Sequence, residues 1–270
     1  MLYSFAKFYK SLFFITMILL LFMALPKVFA DVTYAENVDH YYALKRGDVE
    51  IKIDANFDDW ATVENILVMG EKTWEPLGGT WDGPADLTAN LQIIYDADNL
   101  YFALQVQDDE YVAEGGGFWE NDGPQMAIDT SAGKIPAGWP NKTTHLYNFS
   151  IKDGWNKETG PYLGDAEIVM KRNEAKKMNL FEWRMPVGII AAPGTKLTQG
   201  MEIAFAIIIN DSDLNAKGQT GWVGWGNHTI VFGKNPEEMR TIVLGEDSIG
   251  TASAVNSTGK LTSTWGSLKK

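Results

Sequence analysis

Leu91-Gln92-Ile93-Ile94-Tyr95-Asp96-Ala97-Asp98-Asn99-Leu100-Tyr101-Phe102-Ala103-Leu104-Gln105-Val106 is the stretch on which the fold turns. Two runs rich in β-branched and aromatic residues flank Asp96-Ala97-Asp98-Asn99, a composition whose side chains close turns on their own backbone. The spacing predicts a β-hairpin with one of the longer loops. Leu100, Phe102, Leu104 and Val106 alternate with their neighbours, and so do Val49, Ile51 and Ile53, and Met126 and Ile128. Further strands are expected at 146–151, 165–171, 180–185, 201–209 and 240–244. No stretch sustains a helical period with caps at both ends. Many short strands, with 26 Gly and 10 Pro to turn between them, predict an all-β chain: one antiparallel β-sandwich of jelly-roll or immunoglobulin-like form.

Around this domain, expected over 31–245, the ends differ in character. Lys7 and Lys10 precede an apolar run from Leu12 to Leu25, and Pro26 and Val28-Phe29-Ala30 follow it. Residues 1–30 therefore read as an export signal, too short for a membrane span of about 20 residues. Its removal takes away three Lys and no acidic residue, leaving a formal charge of −15 instead of −12. The protein is expected to be secreted or periplasmic, with no membrane span after cleavage. Residues 246–270 are rich in Ser, Thr and Gly and are expected to form a loose tail. Residues 70–88, with Trp74 and Trp81, read as a long surface loop.

Composition removes several functions. An acidic balance of 35 Asp+Glu against 23 Lys+Arg disfavours nucleic acid or an anionic membrane as partner. The absence of Cys excludes disulfides and thiolate metal sites. Ten Trp stand against three His, so flat apolar contact is abundant where the usual proton-transfer residue is scarce.

Four blocks in order carry a family resemblance. They are Ile53-Asp54-Ala55-Asn56-Phe57-Asp58-Asp59-Trp60; Tyr95 to Phe102, running on to Val106-Gln107-Asp108-Asp109; Trp119-Glu120-Asn121-Asp122-Gly123-Pro124-Gln125-Met126-Ala127-Ile128-Asp129; and Phe181-Glu182-Trp183-Arg184-Met185-Pro186, continuing through Ile209-Asn210-Asp211-Ser212-Asp213 and Gly224-Trp225 to Ile242-Val243-Leu244. Over roughly 49–245 the chain resembles carbohydrate-binding module family 9, a carbohydrate-binding, DOMON-like β-sandwich family of exported sugar binders. The resemblance implies a non-catalytic protein whose partner is an oligo- or polysaccharide, held between two Trp side chains that look like Trp119 and Trp225. An indole face suits the C–H face of a sugar.

The rim carries over onto Gln125, where the family often has Glu, and onto Asn148 and Ser150, where it can place Arg and Asn. Gln219 and Asn227 are weaker candidates, and Trp60 and Trp183 are expected to pack. Structural calcium is a further implication, with Asp96/Asp98, Asp108/Asp109 and Asp211/Asp213 as closely spaced oxygen ligands. Two other classes stay open at this stage. A glycan hydrolase would need two carboxylates flanking the bond, and none of the common catalytic motifs is present. A haem b electron-transfer module would draw axial ligands from Met126, Met170, Met185, Met201, His145 or His228.

Overall fold

The hairpin forms as its sequence dictates. In a computed structural model that describes residues 31–114, 116–131, 144–214, 218–232 and 235–249, strands β5 (Leu87–Tyr95) and β6 (Asn99–Asp108) pair antiparallel, with Ile93 opposite Phe102 and Leu91 opposite Leu104. Asp96 closes the turn: its Oδ1 accepts the backbone N–H of Asp98 at 2.9 Å and of Asn99 at 2.8 Å.

The other strands among the described residues are β1 (Asp31–Tyr34), β2 (His40–Lys45), β3 (Asn65–Met69), β4 (Glu75–Pro76), β7 (Gly123–Asp129), β8 (Thr144–Ser150), β9 (Gly154–Thr159), β10 (Glu167–Asn173), β11 (Met178–Pro186), β12 (Glu202–Asp211), β13 (Gly221–Trp225) and β14 (Arg240–Ser248). A single α-helical turn, α1 (Val187–Ile190), follows β11. The sheet order is β10-β11-β6-β5-β2-β14-β12-β7-β8-β9, with β13 beside β12 and β3 beside β5. The all-β sandwich is as expected, but it is mixed: β1–β3, β2–β5 and β14–β2 run parallel. Those three pairs join strands distant in sequence, which alternation along one strand does not reveal.

The two halves of the sheet face each other across one core. Phe102 stacks on Trp183 at 4.8 Å and on Phe205 at 5.9 Å, and Phe149 stacks on Trp183 at 5.2 Å. These rings come from β6 and β11 on one side and from β8 and β12 on the other. Each such contact contributes about 0.5–1.5 kcal/mol beyond area burial. Trp60 is buried as expected, beneath the outer face of the other half. The boundary at residue 245 moves outward, because β14 continues to Ser248 and Ile249 is buried. Within 70–88, the expected loop contains β4, and Trp74 and Trp81 pack on the core. The expected signal segment and the rest of the tail lie outside the described residues.

Candidate functional site

The site is built by strand parity. On β7, Met126 and Ile128 point into the core, so Gln125, Ala127 and Asp129 face outward. Register then carries that face across the sheet: Gln125 lies opposite Asn148 on β8 and Ile208 on β12, and Asn148 lies opposite Asn156 on β9. Asn210, two residues after Ile208, shares the face. The result is a polar row at one end of the sheet, continuous with an apolar patch of Ala206, Ile208 and Trp222.

The row is a hydrogen-bonded unit. Asn210 Oδ1 accepts from Gln125 Nε2 at 3.2 Å and from Gln219 Nε2 at 2.5 Å, and Asn210 Nδ2 donates to the backbone carbonyl of Trp119 at 3.1 Å. Asn148 Nδ2 donates to Asn156 Oδ1 at 2.8 Å and lies 3.4 Å from Glu158 Oε1. Gln125, Asn148 and Asn210 are all buried, and Asn148 Oδ1 has no hydrogen-bond partner. A buried amide oxygen left so costs about 1–3 kcal/mol, which a ligand donor would recover.

Two exposed aromatic rings accompany this floor. Trp119 sits in a single 3-10 turn, Phe118–Glu120, immediately before β7 and is 47% exposed. A Cβ at Gly117 would come within 2.9 Å of the Trp119 ring, so glycine lets the indole lie against the backbone there. Ser212 Oγ, at the end of β12, donates to the Glu120 carbonyl at 3.1 Å and steadies the same turn. Phe232 is 68% exposed and rests on Trp222 of the outer face. Its φ of +51° is a left-handed conformation that a bulky residue adopts only under constraint from its surroundings.

Trp225 does not belong to this site, which corrects the sequence reading. It lies opposite Ile207, a core residue, and points inward. The ring is 2% exposed, packs 6.3 Å from Phe205, and donates its indole N–H to the Val38 carbonyl at 2.8 Å. Three positions separate Trp222 from Trp225, so the two indoles of β13 fall on opposite faces. Phe232, exposed on the outer face that Trp222 occupies, is an aromatic residue the sequence reading did not single out. Its signal was its place in the Phe232-Gly233-Lys234-Asn235-Pro236 segment after β13.

The other candidates divide. Gln125 and Asn148 come together, and Gln219 joins them through Asn210. Ser150 is buried in the β8–β9 turn, where its Oγ lies 3.5 Å from Asp153 Oδ2. Asn227 binds Glu75 at 2.9 Å, away from the row. Trp183 is core and Trp60 is clamped by Glu182, as expected.

The carboxylates sort by environment. Asp96 is committed to its turn and to Arg46 and Tyr101, and Asp98 pairs with Lys196. Asp211 and Asp213 instead meet Asp86, their oxygens all within 4.8 Å of one another. Burial, then the neighbouring Asp86 and Asp213 charges, push Asp211 up to about 7. Burial does the same to Asp108, against the pull of Arg172 and Asn179, and it raises Asp122, with Asp108 adding to the effect. Asp109, by contrast, is exposed. An all-oxygen group of this kind fits a hard divalent cation.

Met126 and Met185 are enclosed in the hydrophobic core, and His145 is buried with its ring N–H bonded to the Ile190 backbone. The two Met side chains fill space between the sheets, whereas His145 lines a cavity with Ile189, Ile190 and Ala191 that neither Met126 nor Met185 reaches. Among the described residues no helix is long and apolar enough to cross a membrane.

Comparison with known proteins agrees with this architecture. Two solved structures of a carbohydrate binding module family 9 from Caldicellulosiruptor kristjanssonii share the fold. The one in complex with glucose is 14% identical, with a TM-score of 0.57 over 80% of this chain and 97% of that chain. The one in complex with cellotriose is 15% identical, with a TM-score of 0.60 over 80% and 99%. A search of the curated proteins returns no match. The family model for carbohydrate family 9 binding domain-like proteins matches residues 35–247. That match runs from the turn after β1 to the penultimate residue of β14, and the chain belongs to carbohydrate-binding module family 9.

Proposed function

We propose that this is an exported, non-catalytic sugar-binding protein that holds a sugar ring at Trp119 and Phe232, over a floor of Asn210, Gln125 and Asn148. The observation that supports the reading is a buried amide row at one outer face, bonded to the backbone of the turn that bears the exposed Trp119, with exposed Phe232 resting on Trp222 of that face. Aromatic faces take the C–H side of a pyranose, while amides both donate and accept, as sugar hydroxyls do. The two solved relatives, recorded with glucose and with cellotriose, support a neutral saccharide as ligand. A glycan array on residues 31–270, followed by calorimetric titration, tests it. Binding of at least one neutral glycan without release of reducing sugar is the expected outcome. Sustained hydrolysis, or no glycan bound, overturns it.

A second reading concerns calcium. Asp86, Asp211 and Asp213 would hold the ion, and it would offset the repulsion of carboxylates brought together by two segments distant in sequence. Asp211 closes β12 and Asp213 begins the loop after it, whereas Asp86 precedes β5. The ion would thus fix the end of the sandwich where Ser212 holds the Trp119 turn.

A further inference from the structure

A half-enclosed cavity of about 440 Å³ opens at the end of β7 opposite the Trp119 turn. Its described wall comes from both halves of the sandwich. Thr130 and His145, from the β7–β8 side, meet Ile189 and Ala191, which lie in and just after the α1 turn that follows β11. Trp119 precedes β7 and Thr130 follows its last residue, so the length of that strand, about 20 Å at about 3.3 Å per residue, separates the cavity from the Trp119 turn. The volume lies within the range of small-molecule sites, about 300–1,000 Å³.

What this wall offers a ligand is set by where its protons already go. Thr130 Oγ1 donates to the Ile190 carbonyl at 2.8 Å, and Thr195 Oγ1 donates to the Ala192 carbonyl at 2.7 Å. His145 gives its ring N–H to the Ile190 backbone, and burial favours the neutral ring. Its Nδ1, on a side chain only 7% exposed, has no hydrogen-bond partner. Glycine at position 160 leaves that atom its room, because a Cβ there would lie 2.3 Å from Nδ1. A hydroxyl or a neutral imidazole whose proton is spent can only accept. The rest of the wall, with Ile189, Ala191 and Pro161, is apolar. An unpaired buried acceptor costs free energy that an entering donor recovers.

We infer that this cavity is a second binding site, separate from the sugar face, for a small molecule that carries a hydrogen-bond donor, an alcohol or an amine, on an apolar body. The donor enters toward Thr130 and His145 Nδ1, and the body lies on Ile189 and Ala191. A molecule with acceptors alone, such as an ether, finds no side-chain donor among these groups. Nothing in this inference depends on the sugar-binding reading.

The test titrates 2-phenylethanol, 2-phenylethylamine and the methyl ether of the alcohol into the full chain, by calorimetry and ligand-observed NMR. Wild type, His145→Leu and Ala191→Leu are compared, with thermal melts confirming the fold of each. The alcohol or the amine is expected to bind wild type with a Kd of about 0.1–10 mM, as suits so small a ligand, and whichever binds tighter identifies the head group. The ether should bind at least about tenfold more weakly. His145→Leu should narrow that gap severalfold, and Ala191→Leu, which fills the cavity, should abolish binding of all three. Should His145→Leu not fold, the wild-type comparison and the Ala191→Leu loss decide between them. An ether bound as tightly as the alcohol, a gap unchanged in His145→Leu, binding that survives Ala191→Leu, or no binding at all overturns the inference.

Discussion

The phenyl ring of Phe232 rests on the indole of Trp222, with centroids 5.3 Å apart and planes 57° apart. The buried indole supports the exposed ring from below, while Trp225, three residues on, supports the core from inside. The three aromatic residues should therefore respond differently to substitution. Trp119→Ala and Phe232→Ala are expected to abolish measurable glycan binding with little change in melting temperature. Trp225→Ala should cost about 3–5 kcal/mol in denaturant titration, as large-to-small core changes do. Unchanged binding in the Phe232 variant would remove it from the site.

Asn210 joins Gln125, Gln219 and the Trp119 carbonyl, so it positions both floor and turn. Asn210→Ala should weaken binding about tenfold, or about 1.4 kcal/mol. The wild-type Kd itself is expected between about 1 μM and 1 mM, because one or a few rings bury little surface and their hydroxyls give up water. Since the floor groups are neutral amides, calorimetry at low and high NaCl should give nearly the same affinity. A tenfold salt dependence would mean that charged groups carry the recognition.

On the other half of the sandwich, Glu182 accepts the Trp60 indole N–H at 2.7 Å and the backbone N–H groups of Ala55 and Asp54 at 2.7 and 2.9 Å. Glu182→Ala would strand three donors in or beside the core. It should destabilise the fold by roughly 3 kcal/mol or more and leave glycan affinity unaltered at temperatures where the variant is folded. Urea titration combined with calorimetry checks both parts.

Burial depresses the pKa of His145 below its ordinary 6.5, against weaker opposing effects of the Ile190 hydrogen bond and Asp129. As pH falls, the unfolded chain takes up this proton before the folded one. The stability contributed by the neutral ring is full above 6.5 and is lost as pH drops from there toward the folded value, at up to about 1.4 kcal/mol per pH unit. Wild type should therefore lose more stability than His145→Gln between pH 7.5 and pH 5.5. Parallel pH curves for the two proteins would show that the ring titrates alike in the folded and the unfolded chain, against the depression by burial.

Calcium, bound by the folded state alone, should raise the melting temperature as its concentration rises, and chelator should reverse the rise. Asp86→Asn is expected to remove the response, because Asp86 is one of the three convergent carboxylates. A calcium response that persists in Asp86→Asn would place the ion elsewhere.

Much of this was legible in the chain. Alternation at Leu100, Phe102 and Leu104, with the Asp96 turn, announces the hairpin, and the family resemblance points to Gln125 and Asn148, which the register of β7 and β8 brings opposite each other. What stayed hidden depends on register between distant strands. Gly221-Trp222-Val223-Gly224-Trp225 offers two indoles and no local sign of which face is core; only the Ile207–Trp225 pairing decides it. Asp86 escaped because its partners, Asp211 and Asp213, are remote in sequence.

Strand β14 lies between β2 and β12, in the middle of the sheet order, although it is the last strand described along the chain. A growing polypeptide leaves the ribosome at about 5–20 residues per second, N-terminal end first. Until residues 240–248 emerge, β2 and β12 each present a row of open backbone donors and acceptors to the solvent. The two half-sheets are joined by this strand, so the sheet order is complete only once residues 240–248 are available. A premature stop before Arg240 would yield two sticky half-sheets rather than a shortened binder.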